Sequence, residues 1–471
     1  MTPLDRVALA ERAATDPAWY ARHILKASPT DYQSAILHSV MTNRHTRVKS
    51  SHGIGKTATA GMAIAWFAPT RPQSISISTA PTERQVRDQL WGEVGKLFAQ
   101  SALRLSKNAP KTKAWNLGQK WFAMGFTAPP NEPTKFQGFH APHVLIVADE
   151  ACGISKKIYD EGIGACMSNE DVHLLSIGNP TDANTEFARS FADPSPGAFT
   201  ISAFDTPNFT EFGIALEHIR TGEWRDLVAG RKLPRPYLVT PEWVAERWAK
   251  WGEESPLWLG RVMAQFPEAS DDALVPLSWV TSSAERFLGA DWASYRPRMN
   301  VLGVDVARFG SDATTMYHRK DHLCRKFKEV HGADTMVVVG HIIRAQQETG
   351  ADRVYIDEIG IGAGVVDRLK EQGYHWAVGV NFGGKAQNED EYTNQRAECY
   401  WEMRKSLEGG ELAIADEDFA AQVTATKWKP DSKGRIRIEE KDEIKRRIGR
   451  SPDDADAVAL TFSRAQSVVV V

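Results

Sequence analysis

One segment of the sequence has the residue types and spacing of a loop that binds nucleotide phosphates. It reads Ser50-Ser51-His52-Gly53-Ile54-Gly55-Lys56-Thr57 and lies between a strand-like run and a helix-like run. In that context backbone N–H groups and the helix N-terminus wrap phosphate oxygens. We expect Lys56 to reach the β- and γ-phosphates and Thr57 to bind Mg²⁺. Ser50 stands where the usual pattern has its first glycine. The residues expected to contact phosphate through their backbone are Ser51, His52, Gly53 and Gly55.

A pair of acids further along the chain supplies the second half of such a site. The apolar run 143–148 reads as a buried strand and leads into Asp149 and Glu150. We expect Asp149 to hold Mg²⁺, directly or through water, and Glu150 to polarise the attacking water. The two segments together predict a site that hydrolyses a nucleoside triphosphate.

Weaker signals surround this site. Gln33 lies upstream of the loop and could read the edge of adenine, although a glutamine on a helix surface would look the same. Asn179 follows the next strand-like run and could sense the γ-phosphate, or could belong to a plain turn. If the protein is a multimeric ATPase, an arginine finger is also expected at the site. The candidates for this role are Arg84, Arg87 and Arg189, each of which could equally form a surface ion pair.

The second half of the chain carries three separated groups of acids. Asp305 lies within the apolar run VLGVDVA, Asp357 ends the run VYID, and the acids of 453–456 open a helix-like stretch. Carboxylates on two strands and one helix are the layout of a ribonuclease H-like nuclease, in which they bind two divalent ions. Oxygen ligands favour Mg²⁺ or Mn²⁺. Helical spacing places Asp453 and Asp456 on one face, so we expect Asp453 as the third ligand, with Asp456 or Asp454 as alternatives. Asp312 could lie near the first strand or in a turn.

Two other kinds of site find little support in the sequence. The pairs His140/His143 and His318/His322 lack a convincing third zinc ligand. The four cysteines lie far apart without a CxxC pair, which argues against a disulfide framework. A basic stretch over 425–450, with ten basic and five acidic residues, instead predicts a hairpin and helix that contact DNA phosphates, or a solvated charged face.

The elements that must position these residues follow from the hydrophobic pattern. Between about 46 and 180, short β-rich runs alternate with helical stretches, which predicts a mostly parallel α/β sheet. We predict a motor domain over 1–265, with N-terminal helices and a helical part over 205–265. An irregular, acidic linker is expected over 266–298, and a nuclease domain over 299–471 that opens with three antiparallel strands.

Composition further narrows the classes of protein to which the chain could belong. The chain has 471 residues, of which 42% are hydrophobic and 25% charged, and a formal net charge of −3. These values exclude a disordered chain and a uniformly basic DNA-binding protein. Its longest apolar stretches fall short of the ~20 residues that a membrane span needs, so no membrane association is expected.

The order of the two sites resembles that of the large terminase subunits of tailed bacteriophages. The strings that carry the resemblance span about 30–465 and include KSSHGIGKT, HVLIVADE, SIGNP, GVDVARFGSDAT, VYIDEIGIG and GRIRIEEKDEIKRRIGRSPDDADAVALTF. The resemblance implies an N-terminal P-loop NTPase with an ASCE-type sheet and a C-terminal ribonuclease H-like nuclease. It implies ATP and Mg²⁺ at the first site and two Mg²⁺ or Mn²⁺ at the second.

The resemblance also implies a biological setting. Members of this family package double-stranded DNA into an empty procapsid and cut concatemeric DNA. The implied partners are DNA, the portal protein, the small terminase subunit and further copies in a ring, a pentamer by family resemblance. The implied location is the host cytoplasm, transiently at the portal vertex and not in the mature virion. A repair helicase–nuclease is the rival interpretation, but residues 205–300 carry no second set of helicase motifs.

Overall fold

The computed structural model describes residues 3–127, 129–130, 132–168, 170–267, 272–307 and 313–463. Asp312 lies outside the described residues. The chain divides into two compact units, Met1–Trp248 with Trp258–Glu268 and Ala249–Leu257 with Ala269–Val471. Among the described residues, none of the helices combines the length and apolar character that crossing a membrane requires.

The helices, in chain order, are α1 (Pro3–Thr15), α2 (Pro17–His23), α3 (Asp31–Thr42), α4 (Lys56–Thr70), α5 (Trp91–Gln100), α6 (Gly164–Cys166), α7 (Glu186–Ser190), α8 (Pro207–Thr210), α9 (Leu216–Thr221), α10 (Trp224–Val228), α11 (Pro241–Trp251), α12 (Pro256–Arg261), α13 (Leu277–Leu288), α14 (Thr335–Thr349), α15 (Ile361–Glu371), α16 (Gln395–Glu408), α17 (Glu417–Ala425), α18 (Lys441–Ile448) and α19 (Asp453–Leu460). The strands are β1 (His45–Ser50), β2 (Ile75–Thr79), β3 (Ala114–Gly118), β4 (Trp121–Gly125), β5 (Val144–Asp149), β6 (Val172–Gly178), β7 (Ala198–Ile201), β8 (Asn300–Asp305), β9 (Ala313–Lys320), β10 (Leu323–His331), β11 (Arg353–Asp357), β12 (Ala377–Val380), β13 (Ala413–Ile414), β14 (Trp428–Pro430) and β15 (Ile436–Ile438).

The first unit is built on a seven-stranded sheet of order β3-β4-β2-β5-β6-β1-β7. Neighbouring strands run parallel except for the β3–β4 pair, so the predicted parallel α/β sheet is confirmed. Alternate residues of β5 point to opposite faces and enter two separate apolar cores. Leu145 and Val147 pack with α4, whereas Ile146 and Ala148 pack with residues that follow β5. A sheet covered on both faces explains why β5 reads as a continuous apolar run.

The second unit is built on a six-stranded sheet of order β12-β11-β8-β9-β10-β13. The predicted antiparallel meander is confirmed as β8, β9 and β10, and β11 lies parallel to β8 on the other side. Helices α14 and α15 cover one face through an apolar core that includes Leu302 and Val304. Helix α19 lies against β8 so closely that a Cβ at Gly303 would come within 2.0 Å of the Ala457 carbonyl oxygen. This close approach brings an acid-rich helix to the central strand.

The range 266–298, expected to be an irregular linker, contains helix α13. Leu277, Val280 and Ser283 of α13 are buried, and the Ser283 hydroxyl donates to the Leu412 carbonyl oxygen at 2.9 Å. The acidic run before this helix and the irregular run after it made the whole stretch look unstructured. The boundaries of the three predicted domains stay a prediction.

Candidate active sites

The phosphate-binding loop connects the end of β1 to the start of α4, as its sequence context predicted. Gly53 and Gly55 have positive φ angles of 68° and 82°, which favour glycine. Space is equally restricted, because a Cβ at Gly53 would lie 3.1 Å from the Val239 nitrogen, and one at Gly55 would lie 2.7 Å from Gln33 Nε2. Ser50 is the last residue of β1 and is fully buried, so the departure from the usual pattern falls on a strand residue rather than on the turn.

Strand order brings the polar residues of the first unit together. Strand β6 lies between β1 and β5, so Asn179 follows the strand between the loop and the acidic pair. The Lys56 ammonium donates to Asn179 Oδ1 at 3.0 Å and to the Ser51 carbonyl oxygen at 3.3 Å, and it lies 4.0 Å from Glu150 Oε1. The Asn179 amide in turn donates to the Ser50 carbonyl oxygen at 2.5 Å. Lysine, asparagine and glutamate thus meet at the carboxyl ends of three parallel strands, where ligands of such sheets bind.

The acidic pair differs in environment. Asp149 is buried and accepts a hydrogen bond from the Glu150 backbone nitrogen at 3.0 Å. Burial, followed by the neighbouring Glu150 charge, raises the pKa of Asp149. Glu150 is more exposed and has a left-handed backbone, with φ 46° and ψ 49°. That conformation is rare for a residue with a side chain and often marks a functional position.

The side chain of Gln33 is bonded to the phosphate-binding loop and to the start of α4. Its Oε1 accepts from the Thr30 backbone nitrogen, and its Nε2 donates to the Gly55 carbonyl oxygen and to Thr59 Oγ1, both at 3.1 Å. The amide therefore supports the loop and the start of α4. Gln33 also lines a cavity of about 330 Å³ beside the loop, with Gly55, Met62 and Tyr237 among its walls.

The three arginine-finger candidates lie on the surface. Arg84 is exposed, Arg87 pairs with Asp88 at 2.7 Å, and Arg189 pairs with Glu186. Sequence reasoning missed Arg261, which is buried beside the loop. Its carbonyl oxygen accepts from the His52 nitrogen at 2.9 Å. Burial and then the Arg261 charge hold the pKa of His52 well below its ordinary value. The residue lies too far along the chain for any local pattern to indicate this.

In the second unit three carboxylates surround one ammonium group. Asp305 ends β8, Asp357 ends the adjacent β11, and Asp456 lies on α19. Lys441 Nζ is 2.7 Å from Asp456 Oδ2, 3.4 Å from Asp305 Oδ2 and 4.0 Å from Asp357 Oδ2. Sequence reasoning counted Lys441 only as one member of the basic stretch, and nothing in the local sequence distinguishes it.

Asp456 is held in place by two further groups. Arg396 Nε donates to Asp456 Oδ1 at 3.1 Å, and the Tyr400 hydroxyl donates to the same oxygen at 2.8 Å. Burial would raise the pKa of Asp456, but Lys441 and Arg396 outweigh it and hold that pKa below its usual range. Asp456 is therefore a carboxylate although it is 0% exposed.

The other two acids of α19 have different surroundings. Asp454 contacts Lys326 at 2.8 Å, accepts from the Tyr317 hydroxyl at 3.1 Å and from Gln422 Nε2 at 2.7 Å. Asp453, the expected third ligand, is half-buried, and its charge contributes to the raised pKa of Asp305. The acid that shares an ammonium with Asp305 and Asp357 is the alternative, Asp456.

The carboxylates around Lys441 are the kind of oxygen ligands that divalent cations take, but their arrangement is that of an ion-pair cluster. Burial and neighbouring carboxylates raise the pKa of Asp305 well above its usual value, and burial raises the pKa of Asp357 to about 6. Burial is the first cause of both shifts, and the charge of Lys441 opposes it. Among the described residues, no three His, Cys, Asp or Glu side chains are already arranged to hold a metal ion. With Lys441 between them, the three carboxylates face the ammonium rather than a common metal position.

The basic stretch forms the predicted hairpin, but it is less positive than its composition indicated. Strands β14 and β15 pair antiparallel, and α18 follows them. Most of its cations are held by acids. The pairs are Lys427–Asp272, Arg435–Asp431, Arg437–Glu440, Arg447–Glu439 and Arg450–Asp418, besides Lys441 and its carboxylates. Lys429 and Lys433 are exposed on the hairpin.

Comparison with known proteins supports the resemblance that the motifs predicted. No family model matches the chain. A curated relative, the "Probable terminase, large subunit" of Enterobacteria phage P7, is 21% identical over 95% of this chain and 93% of its own length. This chain resembles a phage large terminase subunit.

Solved terminases share weaker similarity with this terminase-like chain. The large terminase of a thermophilic bacteriophage is 9% identical, with a TM-score of 0.42 over 92% of this chain and 98% of its own. The nuclease domain of the large terminase subunit gp2 of bacterial virus Sf6 is 19% identical, with a TM-score of 0.36 over 41% of this chain and all of its own.

Proposed function

We propose that this protein is a DNA-packaging enzyme that couples ATP hydrolysis to DNA translocation and also cuts DNA. The observation that carries the proposal is the convergence of Asp305, Asp357 and Asp456 on one point, in a chain that also holds a phosphate-binding loop. The name of the phage P7 relative, matched along nearly the whole chain, supports the setting of phage DNA packaging.

In the first unit the loop and α4 would bind the phosphates of ATP. Loop N–H groups and Lys56 would neutralise phosphate charge, while Thr57 and Asp149 would hold Mg²⁺. Glu150 lies 4.0 Å from the lysine and would orient the attacking water. Asn179 bonds both Lys56 and the Ser50 carbonyl oxygen, so it would move when Lys56 turns to the phosphates. The cavity beside Gln33 has room for the base.

In the second unit Asp305, Asp357 and Asp456 would hold the metal ions, and Asp453, whose charge acts on Asp305, would be the further acid nearby. Two Mg²⁺ or Mn²⁺ ions, when bound, would activate a water and stabilise the leaving oxygen of the DNA backbone. Arg396 and Tyr400 fix the orientation of Asp456 through its Oδ1, which leaves Oδ2 for a cation. Lys441 occupies the position between these carboxylates, so it would have to leave them for a cation to bind, and it would then contact DNA phosphate.

The finer setting follows from the resemblance. We propose double-stranded DNA, the portal protein and the small terminase subunit as partners. Further copies of the chain would complete a ring, a pentamer by resemblance, and the arginine finger would act across its subunit interfaces. The host cytoplasm and the portal vertex of the procapsid are the proposed locations.

The decisive experiment separates the two activities in the full chain. Lys56→Ala should lower ATP hydrolysis at least about 100-fold, because it removes the cation that stabilises the transferred phosphate. Mn²⁺-dependent cutting of plasmid DNA should stay within about twofold. Asp305→Ala should have the reverse effect.

Two matched substitutions control for surface effects. Lys135→Ala and Asp367→Ala remove an exposed lysine and an exposed aspartate of the same units and should leave both activities intact. Loss of both activities from Lys56→Ala or Asp305→Ala alone, in a folded protein, would contradict the two-site division. A wild-type chain without ATPase or nuclease activity would contradict the proposed function.

A further inference from the structure

A buried asparagine organises a segment next to the phosphate-binding loop. Asn208 is 0% exposed. Its Nδ2 donates to the Arg235 carbonyl oxygen at 2.8 Å and to the Val239 carbonyl oxygen at 3.0 Å, and its Oδ1 accepts from the Arg235 nitrogen at 2.9 Å. We call residues 235–239 the clamp segment. One side chain therefore fixes both ends of the clamp segment.

The clamp segment is bonded directly to the loop. The Val239 nitrogen donates to the Gly53 carbonyl oxygen at 2.9 Å. The contact is also tight, because a Cβ at Gly53 would lie 3.2 Å from Val239 Cβ. Leu238, the preceding residue, is buried near Gly55. Movement of the clamp segment would therefore move the loop.

Donors from outside the loop hold the carbonyl oxygens of Gly53, Ile54 and Gly55. Val239 N–H bonds the Gly53 oxygen, the Tyr32 hydroxyl bonds the Ile54 oxygen at 2.8 Å, and Gln33 Nε2 bonds the Gly55 oxygen at 3.1 Å. In a planar trans peptide the C=O of one residue and the N–H of the next point in opposite directions. Fixing these three oxygens therefore aims the following three N–H groups to the other side, where an anion would be bound.

We propose that Asn208 is a positioning residue for nucleotide binding, acting through the clamp segment on the Gly53 peptide. The proposal rests on the proposed ATPase function. Asn208 touches neither Lys56 nor Glu150 in any contact described above, so it would act on binding rather than on the chemical step. Without it, the phosphates of ATP would have to order the loop, and part of the binding free energy would be lost to that ordering.

Steady-state kinetics of the full chain test whether Asn208 acts on ATP binding rather than on the chemical step. Asn208→Ala should raise KM for ATP about 10-fold while kcat stays within about threefold, the pattern of lost uniform binding. Binding of a fluorescent ADP analogue should weaken by a similar factor. Asn116→Ala removes an exposed asparagine on the edge strand β3 and should change neither quantity.

Amide hydrogen exchange without nucleotide gives a readout independent of ATPase activity. Asn208→Ala should raise exchange in peptides that cover 53–56 and 235–239 and leave those that cover β5 and β6 unchanged. Unchanged KM and unchanged exchange would overturn the proposal. A uniform rise throughout the first unit would also overturn it, because Asn208 would then be a general core residue. If the wild-type chain lacked ATPase activity, the proposed function would fail. Hydrogen exchange would still show whether Asn208 holds the clamp segment and the loop in place.

Discussion

At the scale of single residues, both candidate sites contain a lysine that lies among oxygen atoms. Lys56 contacts a carbonyl and an amide oxygen and approaches Glu150, whereas Lys441 is surrounded by three carboxylates. The sequence motif predicted the first lysine, because its spacing from glycine and threonine is local. It could not predict the second, because Lys441 meets its partners only through the pairing of β8 with β11 and the packing of α19 on β8.

The acids of α19 provide a residue-scale test of the proposed nuclease site. Asp456→Asn should lower Mn²⁺-dependent cutting at least about 100-fold, because it removes a charge that the metal ions would share. Asp453→Asn should lower it less than about 10-fold, since in the structure the ammonium is shared by Asp305, Asp357 and Asp456. Plasmid nicking with titrated Mn²⁺ measures both effects. Equal losses in the two variants would mean that Asp453 contributes as much to DNA cutting as Asp456.

At the scale of elements, the site depends on how closely α19 approaches β8. Glycine at 303 permits this approach, and the helix then presents Asp456 towards the site and Asp454 towards Lys326. Helical spacing in the sequence correctly separated these two acids. It favoured Asp453 over Asp456 as the third ligand, whereas Asp456 shares Lys441 with Asp305 and Asp357 in the structure. That difference depends on the tilt of α19 on the sheet, which no local pattern records.

Two glycine substitutions, one at the contact between α19 and β8 and one away from it, test that contact. Gly303→Ala should destabilise the second unit by about 1–3 kcal/mol, because the new Cβ would overlap the Ala457 carbonyl oxygen. It should also raise the Mn²⁺ concentration needed for cutting, since Asp456 would move away from Asp305. Gly364→Ala, in the exposed part of α15 with open space around it, should be neutral or stabilising by up to about 1 kcal/mol. Thermal unfolding and metal titration of both variants provide the measurements.

A second cluster of charges connects several elements of the second unit. It predicts that the stability of the fold depends on pH. Asp418 of α17 contacts Lys326 at 3.1 Å and Arg450 at 3.0 Å. Burial would raise its pKa, but these cations outweigh burial and lower it. A carboxylate with a lowered folded pKa stabilises the fold above its unfolded pKa of about 4, and this contribution is lost as pH falls through the folded value.

Asp418→Asn should therefore cost about 1–3 kcal/mol at pH 7 and make stability less sensitive to acid below about pH 4. Urea unfolding at pH 7 and at pH 3.5 measures the difference. The stability of the variant should approach that of the wild type at the lower pH. A gap of the same size at both values would mean that the ion pairs contribute nothing.

At the scale of the whole molecule, charge is distributed differently from what composition predicts. The stretch 425–450 has a net charge of +5 from its sequence, yet at least six of its ten cations are held by acids in the structure. Some of the paired acids, such as Asp272 and Asp418, lie outside the stretch, so counting along the chain could not include them. The alternation of runs did predict both sheets, because periodicity is local, but β3 and β7 at the edges of the first sheet were missed.

The paired charges predict a shallow salt dependence of DNA binding. If the six paired cations kept their acids, at most four cations of this stretch would displace counterions. The slope of log K against the logarithm of the salt concentration should then be no steeper than about −4. Displacement of counterions by all ten cations would give a slope of about −9. Fluorescence anisotropy with a short duplex between about 50 and 300 mM salt measures it. Lys429→Ala with Lys433→Ala should flatten the slope by about 2. A slope near −9 would show that DNA displaces the acids from their partners.

The left-handed backbone at Glu150 has a consequence for how this protein could change over time. A side chain in that conformation costs about 1–2 kcal/mol, and glycine or asparagine would adopt it more readily. Selection for stability alone would therefore favour replacing this glutamate. A lineage that lost the proposed ATPase activity would be expected to lose Glu150 early and gain stability by doing so, whereas the more deeply buried Asp149 would change later.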